Sequence, residues 1–320
     1  MVIAMTNHRT ALPQSRGTLL LTDSGLETTL IFHDGFDLPC FAAYPLLDDA
    51  GGRAALARYF RRHLAIAADH GMGFLLEAPT WRASRDWGAQ LGHSPDDLAR
   101  LNREAIALLA DLRGRAGSVR PIVISGNIGP RGDGYRPDTA MTAAEAEAYH
   151  AEQIGWLAQT DADLASAVTL STVAEAVGVI RAAVAVRLPV VVSFTTETDG
   201  RLPDGTPLGR AIEETDALTD GAAAYFMVNC AHPDHFRPAL EAGHGWLARI
   251  GGVRANASRM SHAELDEATE LDAGSPDEMG RDYARLLRLL PNLAVLGGCC
   301  GTDHRHIEAM ADCCAVRPAA

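Results

Sequence analysis

The sequence predicts a single (β/α)8 TIM barrel of the α/β class, from three observations. Short apolar runs alternate with longer amphipathic stretches along the chain, eight such runs can be counted, and no G-x-G-x-x-G follows the first of them. A doubly wound open sheet is the alternative, and it usually has fewer strands at this length.

The runs cover 18–22, 73–77, 121–125, 162–168, 188–194, 224–229, 246–251 and 292–296. Several are rich in Val, Ile and Leu and apolar on both faces, as suits parallel strands covered on both sides. Helix starts fall between them. Ser94-Pro95-Asp96-Asp97 caps an amphipathic stretch carrying Leu98, Leu101, Ile106 and Leu109. Thr142-Ala143-Ala144-Glu145 is a capping box, and Ser275-Pro276-Asp277-Glu278 opens another helix. Pro203, Asp204 and Gly205 mark a turn before a helix near Leu208. The polar stretch 252–274 reads as a long loop over one barrel end. Residues 1–17 read as an N-terminal extension and 18–320 as the barrel domain.

The chain has 320 residues, 47% hydrophobic and 22% charged, which fits one barrel with a large core. Its net charge is −13, and arginine supplies all the basic side chains. So acidic a surface repels nucleic acid and anionic membrane, and neither is expected as a partner. Residues 1–17 carry no long apolar run after a basic segment, so a secretory signal is not expected, and no apolar stretch approaches the roughly 20 residues of a membrane helix. A cytoplasmic protein is expected, and a homo-oligomer is left open. The cysteines at 40, 230, 299, 300, 313 and 314 therefore read as thiols or metal ligands.

The strongest signal is Leu296-Gly297-Gly298-Cys299-Cys300-Gly301-Thr302, where an apolar strand runs into glycines and two cysteines. Glycine permits unusual dihedrals and close backbone approach, so both thiols can enter one site at a strand's carboxyl end. The run 224–229 ends likewise in Asn229-Cys230. The separation from Cys230 to Cys299 is too long for a zinc ribbon and natural for ligands gathered by a barrel. Three thiolates make a tetrahedral Zn2+ site with one position open for chemistry. Such a site lowers a bound thiol's pKa while keeping its sulfur nucleophilic, which is what attack on a sulfonium or ammonium methyl group requires. Cys40, Cys313 and Cys314 read as small buried hydrophobes. A disulfide between the neighbours Cys299 and Cys300 would form only with strain.

These residues resemble the homocysteine S-methyltransferase family, from about Leu19 to about Cys314. The resemblance implies a (β/α)8 barrel with zinc on Cys230, Cys299 and Cys300. It also implies a methyl donor such as S-methylmethionine, betaine or methyltetrahydrofolate. Asp23-Ser24-Gly25-Leu26-Glu27-Thr28 is similar to the family's first-strand motif, with Ser24 in place of one glycine. The resemblance puts Asp23, with Gly25 and Glu27 beside it, near the amino acid group of homocysteine. Capping of the following helix is the other reading of Asp23. Ser125-Gly126-Asn127-Ile128-Gly129-Pro130 resembles the family's Gly-x-x-Gly-Pro loop, with Asn127 as a candidate contact, and could equally be a tight strand-to-helix turn.

Two positions depart from the family. Its glutamate at the end of the fourth strand, which binds the homocysteine amino group, aligns with Val168, leaving Thr169 to offer a neutral hydrogen bond. Its Pro-Asn-Ser-Gly-Glu loop after the seventh strand appears as Arg254-Ala255-Asn256-Ala257-Ser258, which keeps Asn256 and a serine but loses the glutamate. Glu77, ending the second run, is a candidate replacement for the amino-group partner, against a salt bridge to an arginine such as Arg82. Asn229 is a further candidate contact. Trp81 and Trp87 are candidates for a cation–π wall around a sulfonium, against plain packing. His232, His304 and His306 are weaker candidates near the site, with His232 alternatively a loop residue before Pro233.

The expectation is a zinc-dependent methyltransferase moving a methyl group from a small sulfonium or ammonium donor to a thiol, with homocysteine giving methionine. Methylation of a different thiol, and a non-catalytic zinc- or thiol-binding homologue, stand beside it. Zinc-assisted hydrolysis is disfavoured, because an all-thiolate zinc activates water poorly and no general base adjoins the cysteines. The barrel is expected to take up the chain without an appended folate- or cobalamin-binding module, which favours a small donor.

Overall fold

The computed structural model describes residues 8–136 and 141–315. Residues 1–7 of the expected extension and 316–320 of the expected barrel domain lie outside the described residues. Eight parallel strands close into a barrel in chain order: β1 (Leu20–Thr22), β2 (Gly73–Glu77), β3 (Ile122–Ile128), β4 (Leu164–Leu170), β5 (Val190–Phe194), β6 (Phe226–Asn229), β7 (Ile250–Ala255) and β8 (Val295–Gly298). β8 pairs back onto β1 through Leu20 with Val295 and Leu21 with Leu296. This is the (β/α)8 barrel that the alternation of runs predicts.

The helices are α1 (Leu26–Phe32), α2 (Ala50–Asp69), α3 (Arg85–Gln90), α4 (Pro95–Arg115), α5 (Ala143–Ala158), α6 (Val173–Ala185), α7 (Leu208–Leu218), α8 (Pro233–Glu241), α9 (His262–Glu267), α10 (Pro276–Leu289) and α11 (His304–Cys314). Their starts follow the capping chemistry. The Ser94 and Thr142 hydroxyls accept from the backbone N–H groups of Asp97 and Glu145, whose carboxylates answer in full capping boxes, and Ser275 caps α10. Among the described residues no helix is long and apolar enough to cross a membrane.

Two expectations are corrected. The run 246–251 is not the seventh strand. Gly245–Arg249 forms a 3-10 turn, with Trp246 packed against Gly209 of α7, and the strand begins at Ile250. Gly251 and Gly252, which look like a break in the sequence, lie inside β7 and make room for Tyr225 and Met227. The stretch 252–274 is accordingly not one loop: it holds most of β7 and the short helix α9.

Inside the barrel, side chains alternate in and out along each strand and stack in layers. The lower layer is apolar, with Leu20, Leu75, Val123, Leu164, Val191, Met227 and Val295, and Leu12 of the N-terminal segment plugs it from below. Two residues further along β1 to β6 the inward positions turn polar, at Thr22, Glu77, Ser125, Ser166, Ser193 and Asn229, and β7 adds Arg254, all buried. The period of two thus converts a dry floor into a polar site at the carboxyl ends of the strands.

Candidate active site

A cavity of about 430 Å³ opens at that carboxyl end. The candidate metal ligands and acceptor contacts from the sequence line it: Asp23, Gly25, Glu27, Glu77, Asn127, Thr169, Asn229, Cys230, Asn256, Cys299 and Cys300. Cys230 ends β6 and Cys299-Cys300 follow β8. The three sulfur atoms lie within 4.8 Å of one another, and among the described residues this is the one group of three or more metal-capable side chains.

Cys299 is bonded to Cys230, with Cα atoms 5.5 Å apart, and Cys300 is free. The pairing therefore crosses between strand ends and does not join the neighbours Cys299 and Cys300. Burial, with the nearby Glu27 charge, pushes the Cys300 thiol up to about 12. Of the other cysteines only Cys314 is buried; Cys40 is half-buried and Cys313 exposed, so the buried-hydrophobe reading fails for those two.

The glycines before the cysteines act by close approach. A Cβ on Gly297 would meet the side chain of Thr22 and come within 2.9 Å of the Asp23 carbonyl, and a Cβ on Gly298 would meet Thr302. Gly126 lies within β3 rather than in a loop, where a Cβ would strike Leu157 of α5.

Charge in the cavity is organised around Arg254, an arginine inside an otherwise apolar strand. Its guanidinium lies 3.1 Å from Asp23 and 3.9 Å from Glu77, and it donates to the carbonyls of Gly298 and Ser24. Burial pulls Arg254 down, but Asp23 and Glu77 outweigh it and hold it above its ordinary value. Asp23 also accepts from the hydroxyls of Tyr59 and Thr22, both at 3.0 Å. It does not cap α1, whose cap is Gly25 without a side-chain bond. Glu27 and Glu77 are both raised to about 7, chiefly by burial and further by the Asp23 charge. Behind this network His63, held by Ser24 and the Tyr59 carbonyl, is lowered to about 4 by burial.

Several expectations move. The space between Trp81 and Trp87 is filled by Arg82, whose guanidinium carbon is 3.9 Å and 3.6 Å from the two ring centroids. Those rings therefore do not form an open wall for a sulfonium, and Arg82 is not the partner of Glu77. His232 caps α8, its Nδ1 accepting from the Asp234 N–H, and neither it nor His304 nor His306 lines the cavity. Sequence reasoning missed Arg254, Tyr135 and His262 as cavity residues. His262 donates from Nε2 to the Cys230 carbonyl at 2.7 Å, and Tyr135 packs on its ring at 4.0 Å between centroids. The Ser261 and Glu264 capping box of α9 was a legible signal for His262, and the lone charge in β7 was one for Arg254. Tyr135 lies in irregular chain with no pattern to find it.

The homocysteine S-methyltransferase family model matches residues 20–314, nearly the whole barrel. The chain belongs to the homocysteine S-methyltransferase family. It is an enzyme of that kind, a methyltransferase acting on homocysteine. Among solved structures, the oxidized form of the homocysteine methyltransferase MmuM from Escherichia coli superposes with a TM-score of 0.73 at 22% identity, covering 96% of this chain and 99% of that one. Its metallated form gives 0.69 at 21%, covering 92% and 96%. At that identity the likeness speaks to the barrel as a fold. No curated protein sequence matches the chain significantly.

Proposed function

We propose that this member of the homocysteine S-methyltransferase family moves a methyl group from a small cationic donor, a sulfonium before an ammonium, to homocysteine. Cys230, Cys299 and Cys300 would hold a zinc ion for the reaction. The observation that carries the reading is the meeting of three sulfur atoms within 4.8 Å in the lining of the cavity. Three soft thiol donors and no competing carboxylate or imidazole in the group suit zinc, once the thiols are reduced and deprotonated. When bound there, zinc would lower an acceptor thiol's pKa while three thiolates keep the sulfur electron-rich.

The chain's own residues supply the rest. The acceptor thiolate attacks the donor's methyl carbon, a sulfur–carbon bond forms, and the donor leaves with the electron pair of the bond that breaks. Asn229 and Thr169 fix the backbone that presents Cys230. Asp133, Asp266, Glu270 and Asp272 are exposed on the cavity wall, and acids there outnumber the arginines Arg82 and Arg254. That field favours entry of a cationic donor. Methionine formation would serve methionine biosynthesis, and a reducing cytoplasm would keep the thiols available.

The test is methionine formation by reduced, zinc-loaded protein supplied with L-homocysteine and a sulfonium donor. Cys299→Ser is expected to abolish both zinc binding and turnover. Full activity in that variant would sink the reading.

A further inference from the structure

A buried carboxylate without a partner costs stability, and such groups gather where a ligand completes them. Glu77 is one. Its residue is 2% exposed, and neither oxygen takes a hydrogen bond of ordinary geometry: the Ser125 and Ser166 hydroxyls stand near it and favour its charged form, but the Ser125 hydroxyl donates to Ser166. The nearby cation, Arg254, is 3.9 Å away and committed to Asp23 and to two carbonyls. Asp23 has its own cation and two hydroxyl donors, so its capacity is used. Glu27 sits in a comparably desolvated spot but keeps part of its surface exposed and accepts a backbone N–H, so it is better satisfied than Glu77. Beyond Ser166, the next residue on the same face of β4 is Val168, which lines the cavity and offers no polar group.

The wall beside Glu77 repeats the pattern. Glu77 lies opposite Ser125 in the β2–β3 ladder, and Asn127, on the same face of β3, leaves its amide oxygen buried and unfilled. The open groups on this wall are acceptors. The ligand that completes them must bring donors and positive charge, and a primary ammonium brings three N–H groups and one charge.

We infer that Glu77 is a specificity-determining residue that receives the ammonium group of an amino thiol acceptor, with the Asn127 amide oxygen as second acceptor. The assignment rests on the thiol methyltransferase reading and names the part of the acceptor remote from its sulfur. The second strand thus supplies the carboxylate that the fourth strand, with Val168, lacks.

The experiment compares calorimetric binding of the product L-methionine with that of 4-(methylthio)butanoate, which differs by a hydrogen in place of the ammonium and needs no thiol site. Wild-type protein is expected to prefer L-methionine by on the order of 100-fold, the effect of a desolvated ion pair. Glu77→Gln is expected to bind the two alike, and Glu77→Asp to keep part of the preference. The affinity for 4-(methylthio)butanoate, together with thermal unfolding, shows that the variants are folded. Glu77→Gln with the wild-type preference, or a wild type that binds neither or does not discriminate, overturns the assignment. Methionine formation from homocysteine is measured in parallel. Turnover with an unaltered preference in Glu77→Gln removes only the role of Glu77. A preference that depends on Glu77, with no turnover for any sulfonium or ammonium donor, keeps the ammonium site and removes the methyl-transfer reading.

Discussion

Asn229, at the end of β6, and Thr169, at the end of β4, hold each other through two hydrogen bonds. The Thr169 N–H donates to Asn229 Oδ1 at 2.9 Å, and Asn229 Nδ2 donates to the Thr169 hydroxyl at 2.8 Å. Ser193 on β5, the strand between them, donates to the same Oδ1 at 2.6 Å. The clasp spans two residues in the left-handed region, Thr169 at φ 63° and Cys230 at φ 52°. That region disfavours non-glycine side chains, and β-branched ones most, so the surrounding bonds must hold it. Asn229→Ala should therefore cost about 1–3 kcal/mol through unfilled buried groups. It should also weaken metal binding by releasing the backbone of Cys230. Urea unfolding of the metal-free protein and a competitive zinc titration measure the two effects, and unchanged zinc affinity would show that the clasp does not set the thiol.

Glu77 makes stability depend on pH in a direction opposite to that of a salt-bridged acid. Its folded-state value is raised from 4.5 to about 7, chiefly by burial. The unfolded chain gives up this proton near 4.5, while the folded one holds it to about 7. Stability from this group is therefore full below pH 4.5, falls as pH rises toward 7, and is level beyond. Glu77→Gln should gain roughly 3 kcal/mol over wild type at pH 8, and almost nothing at pH 4. Denaturant midpoints at both pH values decide it; an equal gain at both would mean that the carboxyl is not desolvated.

Arg254→Met should be among the most damaging cavity substitutions. It strips Asp23 of its cation and removes the nearby charge from Glu77. Breaking one side of a buried pair typically costs about 3–5 kcal/mol, far more than an exposed pair. Arg254→Lys keeps the charge but loses the fork that also reaches the Gly298 and Ser24 carbonyls, so a smaller loss is expected. Equal stability of Arg254→Met and wild type at pH 7.5 would refute the pairing.

Gly297→Ala should separate β8 from β1. The added methyl meets the Thr22 side chain and the Asp23 carbonyl at 2.9 Å, and neither can withdraw from a closed barrel. A loss of about 1–3 kcal/mol is expected, with weaker metal binding because Cys299 shifts with the strand. Thermal unfolding and zinc stoichiometry report both. Gly114→Ala, with nothing near its Cβ, serves as the contrasting substitution and should be neutral or slightly stabilising.

The parts of the fold that were legible rest on local chemistry. Helix starts at Ser94, Thr142 and Ser275 follow from short-range capping, and the apolar runs mark seven of the strands closely enough to locate them. The eighth, β7, was misplaced because Gly251-Gly252 serves packing by Tyr225 and Met227, which pattern does not show. The same limit hid α9, although its capping box was present.

By itself, the sequence determined the alternation that makes a barrel and the three thiols at two strand ends, since strand period and strand order place them at one end. Only the tertiary structure decided how the charges are shared. Arg254 and Asp23 meet at 3.1 Å because β8 brings β7 within reach of β1 when the barrel closes, and that closure leaves Glu77 farther from the cation, at 3.9 Å, with no hydrogen bond of ordinary geometry. Ion pairing falls off within a few ångströms and depends on burial, so no reading of residues in line could have chosen which carboxylate Arg254 takes and which it leaves open.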